Sequence, residues 1–287
     1  MGYEIAENLK HALDLLRGNK SKAQVIAGAT DLFLQGLPEQ VVDLSGVPEL
    51  TCMEAKDGHL YLGSSITHAE AAHSPLINEE ASALAEACLS VGSPQVRNAG
   101  TIGGNIINAA PAADAAVALV GLGAEAVLVG TDGRSRRMAV EKLYSDYNCS
   151  TIDSSSEIMT TLVVKLNREE EGSAFSRFSP RRALSLPLLN TAVRLHLIGG
   201  RIEEIRLVVA PAQPAPTRLI KTEEKLLGFI PGKDSWDEVA KIASDEADVR
   251  GSLLRCSEQY RRHLVGVLTV DALQKAVNRA RNAEGSS

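Results

Sequence analysis

Two short glycine-bearing segments constrain this 287-residue chain more than any other feature. One is Ala27-Gly28-Ala29-Thr30-Asp31-Leu32; the other, about 70 residues later, is Thr101-Ile102-Gly103-Gly104-Asn105. In the second, adjacent glycines permit positive φ and remove both Cβ atoms, so consecutive N–H groups are free to converge on one anion. Thr101 and Asn105 add side-chain hydrogen-bonding groups at its ends. The first follows a predicted strand, Gln24–Ala27, and offers the same materials. Neither contains Lys or Arg, so a diphosphate held there is bound by backbone dipoles and hydroxyls. Either segment alone also reads as an ordinary tight turn.

Hydrophobic periodicity places these segments in a mixed chain. Ile5, Leu9, Ala12, Leu13 and Leu16 recur at helical spacing, with Gly18 closing the helix. Strands are expected at Gln40–Leu44 and His59–Gly63, and helices at His68–His73 and Glu79–Leu89. Gln95–Pro111 reads as the least helical stretch. Ala112–Leu122 has the alanine-rich character of a buried helix, and Ala126–Val129 reads as a strand. The polar, serine-rich Asp146–Glu157 reads as a connection between two bodies, followed by a strand at Ile158–Leu166. Thr191–Leu197 and Ile202–Val208 alternate on either side of Gly199-Gly200, a hairpin signal. Helices are then expected over Leu219–Leu227, Trp236–Asp248 and Ser257–Asn282. The chain opens in α/β alternation and closes as a small antiparallel sheet with a helical layer.

Composition removes several function classes. A net charge of −6, a pI near 5.6 and 3% aromatic residues argue against nucleic acid or an anionic membrane as partner. The longest uncharged apolar run, Ala115–Ala124, is about half the length that spans a bilayer. Met1-Gly2-Tyr3-Glu4 lacks the layout of a signal peptide, so a cytoplasmic location is expected. Cys52, Cys88, Cys149 and Cys256 are too scattered for a local metal or cluster motif and read as buried, reduced thiols. Gly121–Ala126 fits G-x-G-x-x-A but lies between a helix and a strand, the reverse of the order a dinucleotide fingerprint needs. His68 and His73 fall off the i, i+4 register, which points to surface or capping roles. Ser64 lacks the flanking glycines of a nucleophile elbow, and no catalytic residue is assigned.

Taken together, the two segments resemble the FAD-binding medium subunit of the molybdenum hydroxylases, the xanthine and carbon monoxide dehydrogenase group. The likeness also includes VGSPQVRNAGTIGGNIINAAPAADAAVALVGLGA, RRALSLPLLNTAV (Arg181–Val193) and YRRHLVGVL (Tyr260–Leu268). The resemblance implies an α+β fold: a two-lobed FAD-binding domain of the vanillyl-alcohol oxidase (PCMH) type, then a small antiparallel sheet with a helical bundle. The corresponding bounds are residues 1–170, with lobes of about 1–53 and 54–170, and 171–287. By position, Ala27, Gly28, Ala29, Thr30, Asp31 and Leu32, with Thr101, Ile102, Gly103, Gly104 and Asn105, would line the FAD. Asp114 matches a cofactor-contacting aspartate, and Met159 an apolar residue against the flavin. Arg177 aligns with a lysine that touches the cofactor, but its reach differs. Ala29 stands where relatives usually carry a second glycine; if that residue needs positive φ, alanine costs on the order of 1 kcal/mol.

The resemblance further implies a molybdopterin-binding large subunit and a [2Fe–2S] small subunit as partners. Flavin would pass electrons from the clusters to NAD or another acceptor. Two alternatives stay open: an FAD-free assembly subunit, and a stand-alone flavin oxidase.

Overall fold

The computed structural model describes residues 2–19, 23–36, 38–181, 183–252 and 255–282. The chain begins with β1 (Gly2–Ile5), α1 (Leu9–Asn19), β2 (Ala23–Ile26), a short α2 (Leu32–Gln35) and β3 (Gln40–Asp43). The three strands pair in parallel in the order β1-β3-β2. Parallel pairing demands crossovers, and α1 supplies one by burying Ala12, Leu13 and Leu16. Ile5 belongs to β1 rather than to the helix, and Gly18 lies inside α1 instead of ending it.

A second unit starts with β4 (Met53–Lys56) and β5 (His59–Gly63). Six helices follow: α3 (His68–His73), α4 (Pro75–Glu80), α5 (Ser82–Leu89), α6 (Pro94–Ala99), α7 (Ile102–Ile107) and α8 (Asp114–Gly121). Next come β6 (Glu125–Gly130), β7 (Ser135–Ala139), the small pair β8 (Tyr144–Asp146) and β9 (Cys149–Ser150), and β10 (Glu157–Lys165). The antiparallel sheet order is β4-β5-β10-β6-β7. Residues 146–157 therefore do not join two bodies; they return the chain to the central strand of this sheet. The serines there close a turn, with the Asp153 carboxylate accepting from Ser155 N and from the Ser155 and Ser156 hydroxyls. The stretch expected to be least helical instead holds α6 and α7, each started by a hydroxyl cap, Ser93 and Thr101.

The last unit is β11 (Glu171–Phe178), β12 (Leu189–Ile198), β13 (Arg201–Ala210) and β14 (Thr217–Arg218), with α9 (Ile220–Leu226), α10 (Trp236–Glu246) and α11 (Glu258–Asn282). Its four strands pair in sequence order, antiparallel throughout. Gly199 and Gly200, at φ +56° and +75°, turn β12 into β13. Leu195 and Val193 of β12 join the core shared with α11, while Ala192 joins the core around α8 and α5. β12 is buried on both faces, and its polar residues Asn190, Thr191 and Arg194 are buried with its apolar ones. Arg194 pairs with Glu171 at 2.7 Å in this buried zone, and its other nitrogens donate to the Lys165 and Leu166 carbonyls, tying the end of β10 to the last sheet.

Candidate functional site

A cavity of about 910 Å³ opens where the first unit meets α6–α8 and the segment before β12. That volume is ample for a cofactor. It lies beyond the carboxyl end of β2, the place where parallel strands deliver their loops. Ala27 to Leu32, Thr101, Gly103, Gly104, Asn105, Asp114, Met159 and Arg177 all line it. Ile102 does not: it is fully buried in the core around α5 and α8.

The first glycine segment lies hard against α6. A Cβ on Gly28 would fall 1.9 Å from the Ala99 carbonyl oxygen, so only glycine permits the approach. Ala29 sits at φ +51°, the left-handed region, so alanine carries the strain there. Among the described residues, no N–H from Gly28 to Leu32 donates to another protein group. Asp31 precedes α2 without capping it by a side-chain bond.

The second segment is built differently. It is no positive-φ loop; Gly103 and Gly104 belong to the first turn of α7. Their N–H groups do not converge on an open anion site. Ile102 donates to the Ile66 carbonyl and Gly103 to the Ser64 carbonyl, each at 2.9 Å; Gly104 donates to Thr101 Oγ1 at 3.1 Å and Asn105 to the Thr101 carbonyl at 3.0 Å. Asn105 Oδ1 accepts from Ala116 N at 3.1 Å, locking α7 onto α8.

Also lining the cavity, Asp114 opens α8 and is buried. Its Oδ1 accepts from Arg177 Nε and Asn190 Nδ2, both at 3.0 Å. Burial raises its pKa above the ordinary carboxylate value, against the opposing pull of Arg177 and Asn190. Arg177 also donates to Ser179 Oγ at 3.0 Å and to the Ser185 carbonyl, so its guanidinium is spent on the protein. Met159 lies in β10 beside a bulge, and its carbonyl accepts from Ser64 Oγ at 2.6 Å.

His68 and Ser65 are among the lining residues that a reading of the sequence leaves unassigned. His68 is only 3% exposed, neither a surface residue nor a side-chain cap. Burial first and Arg97 second push its pKa down to about 4, so the imidazole is neutral. The capping box Thr67–Glu70 announces the start of α3 and so places His68 in its first turn, but not which way the ring faces. Ser65 Oγ, also in the wall, is buried with no hydrogen-bond partner. His73 is exposed, with its ring nitrogen on the Ala69 carbonyl. Of the four free cysteines only Cys88 is buried; Cys52 and Cys149 are exposed and Cys256 is half-buried, contrary to the expectation for the set.

Comparison with known proteins fits this geometry. Residues 1–164 match the family described as "FAD binding domain in molybdopterin dehydrogenase", and residues 174–276 match "CO dehydrogenase flavoprotein C-terminal domain". The chain belongs to this FAD-binding family. It is similar to a xanthine dehydrogenase FAD-binding subunit of Escherichia coli O157:H7, 26% identical over 96% of this chain and 95% of that one. It is also similar to the carbon monoxide dehydrogenase medium chain of Hydrogenophaga pseudoflava, 26% identical over 96% of each. In solved structures, the fold superimposes on a carbon monoxide dehydrogenase chain of Hydrogenophaga pseudoflava with a TM-score of 0.89 at 24% identity, over 97% of this chain and 98% of that chain.

This FAD-binding chain is thus an oxidoreductase subunit with the expected α+β architecture. Its cleft fits a flavin dinucleotide on two independent grounds. Unpartnered N–H groups line one wall at Gly28–Leu32, as a diphosphate requires. An orphaned Ser65 hydroxyl lines the same cleft, where a ligand oxygen would satisfy it. Among the described residues no helix is long and apolar enough to cross a membrane.

Proposed function

We propose that this chain is the flavin-carrying electron-transfer subunit of a heteromeric molybdenum hydroxylase. On this reading a molybdopterin-binding large subunit oxidises the organic substrate and a small subunit carries [2Fe–2S] clusters. Electrons arrive from those clusters and leave to NAD or another acceptor. The words "subunit" and "medium chain" in the names of the relatives support the heteromeric part. The observation that carries the site is the unpartnered row of N–H groups from Gly28 to Leu32.

FAD supplies a centre that takes electrons singly and releases them in pairs. The residues of this chain bind and orient it. Gly28 to Leu32, with Ala27 leading in, hold the diphosphate. Thr101, Gly103, Gly104 and Asn105 form a braced part of the wall, with Ile102 as its anchor in the core. Met159 offers an apolar surface, and the Asp114–Arg177 pair a fixed polar one. Residues 1–170, in lobes of about 1–53 and 54–170, make the cofactor domain, and 171–287 brace it.

The test is turnover by the isolated chain. Loaded with FAD, it is expected to oxidise no purine, nicotinate or carbon monoxide, and to gain substrate-dependent activity only when both partner subunits are added. Oxidation of an organic substrate by the purified chain alone would replace this reading with the stand-alone oxidase.

A further inference from the structure

His68 stands at the junction of the two glycine segments. A Cβ built on Gly100 would lie 3.3 Å from both His68 Cδ2 and Thr30 Oγ1, so the outer edge of the imidazole and the first segment share one corner of the cleft. The backbone of His68 is pinned there by its N–H to the Gly100 carbonyl at 2.9 Å. On the inner edge, Nδ1 faces Cys88 Sγ at 3.5 Å. Cys88 is fully buried, and burial, then the charge of Asp114, raise its thiol well above the ordinary value. The thiol thus keeps its proton, and when its S–H donates a hydrogen bond to Nδ1 the imidazole proton sits on Nε2. No protein group among the described residues partners that nitrogen.

We propose that His68 is a further cofactor-binding residue: a neutral imidazole, its proton fixed on Nε2 by Cys88, that donates a hydrogen bond to the diphosphate of FAD held against Gly28–Leu32. The inference rests on the reading of that segment as the diphosphate cradle. It gives the cradle a side-chain donor where Lys and Arg are lacking, and one that carries no charge into a buried corner. Neutrality is the useful property, because a cation this deep would be costly before the cofactor arrives.

Two measurements test it. In apoprotein labelled with 15N-histidine, His68 is expected as the Nε2–H tautomer, with its Nε2 resonance moving on addition of FAD; an Nδ1–H tautomer, or no movement, overturns the proposal. In titrations of apoprotein, His68→Ala is expected to weaken FAD by roughly tenfold to a hundredfold, the range for a hydrogen bond to a charged group. Riboflavin, which lacks the diphosphate, should bind the variant as it binds the native chain, and His68→Gln should recover most of the FAD affinity. Equal losses for FAD and riboflavin, or no loss for FAD, sink the role of His68. If the native chain itself prefers FAD no more than riboflavin, the cradle reading fails instead, whatever His68 does.

Discussion

The two glycine segments look alike in sequence and do opposite things in the fold. At Gly28–Leu32 the chain leaves a parallel strand, takes one left-handed step at Ala29, and keeps its N–H groups unspent. At Thr101–Asn105 the chain enters α7, and the N–H groups of Ile102 to Asn105 are all taken up by Ser64, Ile66 and Thr101. Glycine serves close packing in both places, but against different things. Gly28 lets a loop lie on the Ala99 carbonyl; Gly103 lets a helix lie on Ser64, whose carbonyl would be 2.6 Å from a new Cβ. A glycine pair is therefore no measure of anion binding. What separates a cradle from a brace is whether neighbouring carbonyls have already claimed the donors.

The sharpest way to break this contrast is Gly28→Val. The side chain has no room against backbone, so the loop must leave α6, at a cost of about 3 kcal/mol or more. FAD retention should vanish, measured as the flavin-to-protein absorbance ratio after purification. Full occupancy in a folded variant would remove the first segment from the site.

Gly103→Val should show the mirror-image phenotype. Gly103 is buried, so the substitution destabilises the fold by about 2 kcal/mol, seen in urea unfolding of the apoprotein. FAD affinity should fall only as far as the fold does. Gly104→Ala is milder, since its Cβ would meet only Thr101 Oγ1, at 2.9 Å. A stable Gly103→Val protein devoid of flavin would mean that the second segment touches the diphosphate after all.

Acid provides a third test, at the corner where the segments meet. His68 has a folded pKa of about 4 against an ordinary 6.5, so between those values the unfolded chain binds a proton that the folded chain refuses. Stability is accordingly lost as pH falls through that window, by roughly 2 kcal/mol between about pH 7 and about pH 5. Asp114 acts in the other direction, because burial raises its carboxyl, and partly offsets the loss at the acid end. Urea midpoints across this range should slope for the native apoprotein and flatten in His68→Gln. Equal slopes would place the histidine outside the buried corner.

How much of this was legible beforehand depended on where each signal lay. The β12–β13 hairpin was readable because alternation and Gly199-Gly200 sit in one local stretch. β4 and β7 were not: both are edge strands of their sheet, short and polar, with sequences MEAK and SRRMA. α6 and α7 were hidden by glycine and asparagine, although the caps Ser93 and Thr101 were in plain view. Part of the cleft lining could be named from the family likeness, with Ile102 turned into the core and His68 and Ser65 left unnamed. Their hydrogen-bonding state could not, because the Ser64 and Ile66 carbonyls that engage α7 come from nearly 40 residues earlier. The inward ring of His68 likewise depends on how α3 packs on α5, which supplies Cys88.

The smallest expected effect concerns Ala29. Its φ of +51° costs an L-residue roughly 1 kcal/mol or somewhat more, which glycine would not incur. Glycine also frees the unfolded chain, taking back about 0.4–1 kcal/mol. Ala29→Gly should therefore leave the apoprotein as stable as before or firmer by less than about 1 kcal/mol. The same backbone shape, and so the same row of N–H donors, would be presented to the cofactor. FAD affinity should hence rise by no more than a few-fold, from loss of a methyl group that lines the cleft. A much larger gain would mean that this methyl crowds the phosphates directly, making alanine at this position a brake on cofactor binding rather than a local strain.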